Sequence, residues 1–225
     1  MSDELMLPFG FEPADKAAPL EVKPIGAQTA VRIAEREHYM HRKPQVSYSF
    51  GLYQCGVLKG ICVFGIPASR HLQKGAAPMA PEKVIELNRL WVHDDFGRNT
   101  ESYFVSRCFK LLPPLIIVSY ADTAHGYAGY IYRALNFHYA GWTDMERLTP
   151  RPDYIAAKRE TIHSRDAWRN GHEGFNRRSC KIRYWTVTGN RRERKALEKL
   201  CAWPVLDWKK EPPPLDGHKK RKIIL

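Results

Sequence analysis

The sequence predicts a mixed α/β (α+β) domain, a central sheet flanked by helices, followed by a basic C-terminal extension. Three observations carry this. Residues 115–118 (L-I-I-V) are a short apolar run between Pro113-Pro114 and Asp122, as in a buried strand. Residues 84–92 also read as strand and lead through a polar loop at 93–99 into a helix over 100–112, where Phe104, Cys108, Leu111 and Leu112 recur at helical spacing after a cap at Asn99 or Thr100. A helix over about 126–135 then precedes a strand at 137–142. Sheets of this kind bind ligands beyond the carboxyl ends of their strands. Functional residues are therefore expected around Arg89, residues 98–102 and residues 120–122.

The flanking elements follow from local pattern. Residues 1–26 hold Pro8, Pro13, Pro19 and Pro24 with little periodicity and read as an extended arm. Thr29 caps a predicted helix reaching about His41, which Pro44 stops. His38 and His41, three apart, would share one face of it. They could bind a metal, but two histidines without a third ligand are weak evidence, and phosphate contact is the favoured expectation for both. Residues 46–53 and 57–66 alternate around Gln54-Cys55-Gly56 as a β-hairpin. The second strand runs out at residues 67–71, and residues 75–81 read as a lid or a substrate-contacting loop. Residues 143–176 are polar and should wrap the surface. Residues 181–188 return to strand, and residues 191–200 form a basic helix before a proline-broken, charged tail. The expected organisation is an arm at 1–26, a catalytic domain at 27–190 and a basic helix and tail at 191–225.

Composition narrows the function. A 44% hydrophobic fraction suits a sizeable core. No run approaches the roughly 18 apolar residues of a membrane span, so a soluble, unexported protein without a membrane partner is expected. Five cysteines without CxxC spacing read as reduced, buried thiols. From Arg177 onward there are 15 Lys/Arg against 5 Asp/Glu, so +10 of the net +12 lies in the last 49 residues. Such asymmetry favours a polyanionic partner. Six Trp and eleven Tyr tilt this toward nucleic acid, where aromatic rings stack on exposed bases.

The predicted order of helix, hairpin, strand, helix, strand, helix, strand resembles the GNAT acyltransferase fold. Members often carry Y-x-x-x-G-F between helix and strand, and Tyr132 to Phe137 (Y-R-A-L-N-F) keeps the Tyr and Phe while Asn136 replaces Gly. The resemblance implies a general-acid role for Tyr132. It also implies a donor loop at Arg98, Asn99, Thr100, Glu101 and Ser102, but the glycines that hold coenzyme A pyrophosphate in that fold are missing here.

A closer resemblance lies in E-L-N-R-L-W-V (86–92), R-N-T-E-S (98–102), S-Y-A-D-T (119–123), G-Y-I-Y-R-A-L-N-F (129–137) and A-G-W-T-D (140–144). It extends to H-Y-M-H-R (38–42), P-A-S-R-H (67–71) and R-Y-W-T-V-T-G-N-R-R (183–192). This ordered set, covering roughly residues 30–208, resembles the Mom family of phage DNA-modification proteins. The resemblance implies a phage- or prophage-encoded enzyme in the host cytoplasm that converts DNA adenine to its carbamoylmethyl (glycinamide) derivative and shields it from restriction. It also attaches iron and acetyl coenzyme A to the family. The product has a methylene on adenine's exocyclic nitrogen and an amide at its far end. An activated glycine such as glycyl-tRNA therefore fits as donor, with acetyl coenzyme A as the rival, and the partners expected are double-stranded DNA and tRNA.

In this reading Asp122 is the base, Arg89 binds the donor's phosphate or carbonyl oxygen, and Ser102 and Tyr132 orient the donor and protonate its leaving group. Asn88 joins them if a bulge re-aims it. Structural roles compete: a helix cap for Asp122, and an ion pair with Glu86 or Glu101 for Arg89. Tyr39, Tyr120 or Trp142 would stack on a flipped base. His38, His41, Arg42, Arg70, His71, Arg191 and Arg192 are the further DNA contacts. Two other readings remain: a non-catalytic DNA-binding protein of the same fold, and an ordinary acyl-CoA N-acetyltransferase.

Overall fold

The structure, a computed structural model, describes residues 18–97, 99–143, 148–150, 175–177 and 181–213. Arg98, most of the predicted surface-wrapping stretch and the tail from Pro214 lie outside them. In chain order the elements are β1 (Leu20–Pro24), α1 (Ala27–Glu37), β2 (Tyr48–Gln54), β3 (Val57–Gly65), α2 (Arg70–Ala76), β4 (Val84–Val92), α3 (Thr100–Leu111) and β5 (Ile116–Asp122). Then come α4 (Tyr130–Ala134), β6 (His138–Trp142), β7 (Leu148–Pro150), β8 (Phe175–Arg177), β9 (Lys181–Val187) and α5 (Arg191–Leu200). Seven strands form one sheet in the order β1-β2-β3-β4-β5-β9-β6, and β7 pairs with β8 apart from it. The mixed α/β class and the predicted order of elements are both present. No helix among the described residues is long and apolar enough to cross a membrane.

The described residues fall into two compact units, Met1–Ile117 with Val187–Leu200, and Val118–Thr186 with the residues from Cys201 onward. In the first unit, β2 and β3 join through Cys55 and Gly56, both at positive φ (50° and 77°). That is the two-residue turn whose twist matches a hairpin. Ala30 and Ala34, one turn apart on α1, pack on Ile61 and Val63 of β3. Phe104, Val105 and Cys108 bury the inner face of α3.

Three expectations here are corrected. The arm drawn over residues 1–26 contains a sheet strand, because β1 pairs antiparallel with β2, Leu20 opposite Gln54 and Pro24 opposite Phe50. Its proline sits at the strand end, where a missing N–H is tolerated. α1 begins after Gly26 rather than Thr29 and stops at Glu37, with His38 already extended. Residues 70–76 are helical, and Ala76, Ala77 and Ala80 are buried, so much of the stretch expected as a loop packs inward on small side chains.

In the second unit β6 and β9 pair antiparallel, and Ile182, Tyr184 and Trp185 are buried. The helix expected over about 126–135 is shorter, a 3₁₀ turn at Thr123–His125 and then α4. Asn136 ends it at φ 57°, with Phe137 N–H donating to Tyr132 O at 2.9 Å. A left-handed residue at this point explains the motif: Gly fits best, and Asn is the side chain that tolerates it next best. The chain after Pro204 runs along β6, with Leu206 N–H donating to Tyr139 O at 2.9 Å and Tyr139 Oη to Glu211 O at 2.9 Å.

Candidate functional site

In the first unit the centre of interest is a bulge in β4. Val63 faces Arg89 while Phe64 faces Leu87, so Asn88 is the extra residue. Leu87 and Arg89, on either side of it, are both buried. Arg89 is 9% exposed, and its Nη1 and Nη2 donate to Asn88 O at 2.6 Å and Arg42 O at 3.2 Å. Asn88 Nδ2 donates to Gln45 O at 2.8 Å. Residues 42–45 are thereby tied down to β4, and they cross β3 so closely that a Cβ on Gly65 would strike the Gln45 carbonyl. Burial pushes the Arg89 pKa down, opposed by Tyr39 and Glu86 and reinforced by Arg42. A guanidinium stays charged under such a shift. The guanidinium thus donates to two backbone carbonyls and also feels the charge of Glu86. Arg89 Nε and Asn88 Oδ1 are buried with no hydrogen-bond partner among the described residues.

The predicted donor loop enters α3 through Asn99, which stands at φ 71° and makes no side-chain cap. Thr100 Oγ1 donates to Gly97 O and Ser102 Oγ to Asn99 O, each at 2.9 Å. Both hydroxyl protons are thus committed to backbone, and Glu101 is exposed beside them.

The histidine pair does not share a helical face, since α1 ends before it. His38 is buried, and its Nδ1 accepts from Met40 N at 3.2 Å. His41 is exposed at φ 44°, its Nδ1 bonded to Glu35 O at 3.0 Å. Among the described residues no three His, Cys, Asp or Glu side chains gather as metal ligands. Arg42, Arg70, His71, Arg191 and Arg192 are all exposed, and Tyr39 is 39% exposed with its ring 4.3 Å from that of His38. Arg191 and Arg192 open α5, which a reciprocal cap holds. Asn190 Oδ1 accepts from Arg192 N and Glu193 N at 3.0 Å each, and Glu193 Oε2 accepts from Asn190 N at 2.8 Å.

The second unit gathers acid–base groups at the carboxyl end of β5. Asp122 ends the strand, with Oδ2 3.5 Å from Lys181 Nζ. Its backbone carbonyl accepts from Tyr127 N at 3.3 Å. Tyr132 on α4 reaches the same strand, accepting from Ser119 Oγ at 2.8 Å and donating to Tyr120 O at 3.3 Å. Its ring lies 4.9 Å from that of Tyr184, whose hydroxyl donates to Ala128 O at 3.0 Å. Burial pushes the Tyr184 phenol well above its usual range. Tyr120 meets Trp203 edge-on at 6.3 Å, and Arg183 covers Trp203 at 5.5 Å. Trp142, the other predicted stacking ring, is exposed at the end of β6.

Sequence reasoning named Tyr120 and Asp122 from the strand exit and Tyr132 from the Y-x-x-x-G-F resemblance, and the structure brings Tyr132 onto the same strand. It missed Ser119, Lys181, Arg183, Tyr184 and Trp203. The first directly follows the apolar run at 115–118, and the rest belong to segments far along the chain. Alternation in residues 181–184 was the available signal, since it puts Lys181 and Arg183 on one face and Ile182 and Tyr184 on the other.

Comparison with known proteins follows the same lines. Over 129 residues the chain is 33% identical to the methylcarbamoylase mom of Escherichia phage Mu, a match covering 54% of each. The chain thus spans about half the length of that relative. Similar solved structures include the ribosomal-protein-S18-alanine N-acetyltransferase of Escherichia coli (TM-score 0.43, 13% identity, covering 76% of this chain and 96% of that one). A GNAT-superfamily phosphinothricin acetyltransferase from Sinorhizobium meliloti is another (TM-score 0.45, 12% identity, 76% and 89%). Residues 19–199 match the Mom protein family, and the chain belongs to it.

Proposed function

We propose that this protein is a phage-type DNA-modifying transferase that converts adenine in double-stranded DNA to its carbamoylmethyl (glycinamide) derivative, protecting that DNA from restriction in the host cytoplasm. Family membership across residues 19–199 carries the reading, and the methylcarbamoylase name of the phage Mu relative supports it. A carboxylate and a phenol at the carboxyl end of β5, Asp122 and Tyr132, fit the proton transfers required.

The chemistry we favour needs no oxidant. Adenine leaves the stack, and its exocyclic amine attacks the acyl carbon of an activated glycine ester such as glycyl-tRNA. The N–C bond forms and the ester C–O bond breaks. The amine's proton passes to Asp122, and the leaving oxygen takes a proton from Tyr132. The free glycyl amine then attacks the adenine ring carbon through a five-membered ring, and the original nitrogen departs as the amide. Arg89 holds residues 42–45 in place beside the β4 bulge, and exposed Arg42, Arg70, Arg191 and Arg192 bind phosphates.

Mass spectrometry of nucleosides from plasmid DNA in bacteria expressing the protein tests this. A deoxyadenosine heavier by one glycine residue, absent with Asp122→Ala, is the expected result. Unmodified adenine from a folded, DNA-binding protein would overturn it and favour a binding module built on the exposed arginines of α5. Nitrogen label placed in the exocyclic amine should finish in the amide, and label retained on the ring would rule out the rearrangement.

A further inference from the structure

Lys181 opens β9 with its ammonium 3.5 Å from Asp122 Oδ2. Backbone features of β6 aim it there. Tyr139 faces Tyr184 and Trp142 faces Ile182, so three steps on β6 answer two on β9. Gly141 makes this bend at φ 78°, and a Cβ there would come within 3.4 Å of the Arg183 guanidinium. Beyond the bend Thr143 grips Lys181 from both sides: Thr143 N–H donates to Lys181 O at 2.9 Å, and Lys181 N–H to Thr143 Oγ1 at 3.1 Å. The strand start is therefore fixed in depth and register. Strand alternation then turns Lys181 away from buried Ile182.

We infer that Lys181 is a positioning residue for the transfer reaction, holding the Asp122 carboxylate in the orientation from which it receives the proton of the adenine amine. The inference rests on the proposed function and deepens it. A carboxylate at a strand end turns about χ2 at little cost, and a cation fixed on one oxygen removes that freedom. Ion pairs on an open surface contribute little. This pair is more sheltered, with side-chain exposures of 29% for Lys181 and 14% for Asp122. A lysine serving only to bind phosphate would have no need of a partner carboxylate or of a clamp on its own backbone.

The test follows modified deoxyadenosine over time after induction, together with DNA affinity at two salt concentrations and the unfolding midpoint, for wild type, K181M, K181Q, K181R and D122A, and for D122A combined with K181M. The neutral variants should slow modification about 10- to 100-fold, the range expected when a reacting group is misplaced. DNA affinity and unfolding should hold, K181R should restore the rate, and K181M should add nothing to D122A. Wild-type rates in K181M and K181Q would overturn the inference. So would a parallel fall in DNA affinity with a shallower salt dependence, the mark of a phosphate contact. A wild type that leaves adenine unmodified would instead overturn the proposed function, and the inference with it.

Discussion

Ser119 donates a 2.8 Å hydrogen bond from its hydroxyl to the phenol oxygen of Tyr132, and the phenol proton goes to the Tyr120 carbonyl at 3.3 Å. The short bond fixes where the oxygen sits, and the longer one is the bond that yields when a leaving group needs the proton. Tyr132→Phe should lower adenine modification by about 10²- to 10⁴-fold, the usual weight of a general acid. Ser119→Ala leaves the phenol its proton and should lower it far less. Both should cost about 1 kcal/mol in stability. Equal activity losses in the two variants, measured on folded protein, would remove the acid role from Tyr132.

Arg191 and Arg192 stand in the first turn of α5. Cations there oppose the helix dipole, so they contribute nothing to holding the helix. Reversing both to Glu should weaken DNA binding and reduce its salt dependence. The same change should leave the melting temperature unchanged or raise it, by the equivalent of about 0.3–1 kcal/mol. A variant that melts lower while binding DNA normally would contradict this assignment.

The cap of α5 gives the opposite pattern. Asn190→Ala removes the acceptor for two backbone N–H groups and should destabilise the protein by about 0.5–2 kcal/mol. Gly189→Ala should also destabilise, because Gly189 stands at φ 106° with Glu193 where a Cβ would go. Denaturant melts measure both effects.

Cys62 and Cys108 are buried in the first unit, whereas Cys55 is exposed. Burial, with a hydrogen bond and charge interaction from Cys108, pushes the Cys62 thiol well above its ordinary 9.0. As pH climbs past 9 the unfolded chain releases this proton first, so the contribution is complete below pH 9 and is lost progressively above it. Tyr184, its phenol raised from 10.0 by burial, acts in the same direction above pH 10. Unfolding midpoints at pH 7, 9 and 10 should therefore fall in that order. A thiol reagent should label Cys55 in the native protein and reach Cys62 and Cys108 only on unfolding.

Arg89→Lys tests the β4 bulge. One ammonium cannot reproduce the fork that meets the Asn88 and Arg42 carbonyls. The loss should be about 1–3 kcal/mol, with faster proteolysis within residues 38–47. Unchanged proteolysis would mean that other contacts hold this segment.

Local pattern in the sequence determined most of the elements. The apolar run at 115–118 is buried in β5, residues 84–92 match β4, and residues 191–200 match α5, because side-chain spacing and turn residues act over a few positions. The placing of Asp122 and Tyr120 at a strand exit was legible for the same reason. Asn136 in place of Gly was legible too, once its left-handed φ is seen.

What only the tertiary structure decided depends on partners distant in sequence. β1 was hidden among prolines until β2 offered its edge. The partners of Arg89, carbonyls 1 and 47 residues away, were set only when residues 42–45 came to lie against β4. The histidine pair lost its shared face because α1 ends at Glu37. Lys181 meets Asp122 because a glycine bend in β6 sets the register of β9. Hydrogen-bond register and charge pairing of this kind link segments with no common local pattern, so they become definite only when the sheet forms.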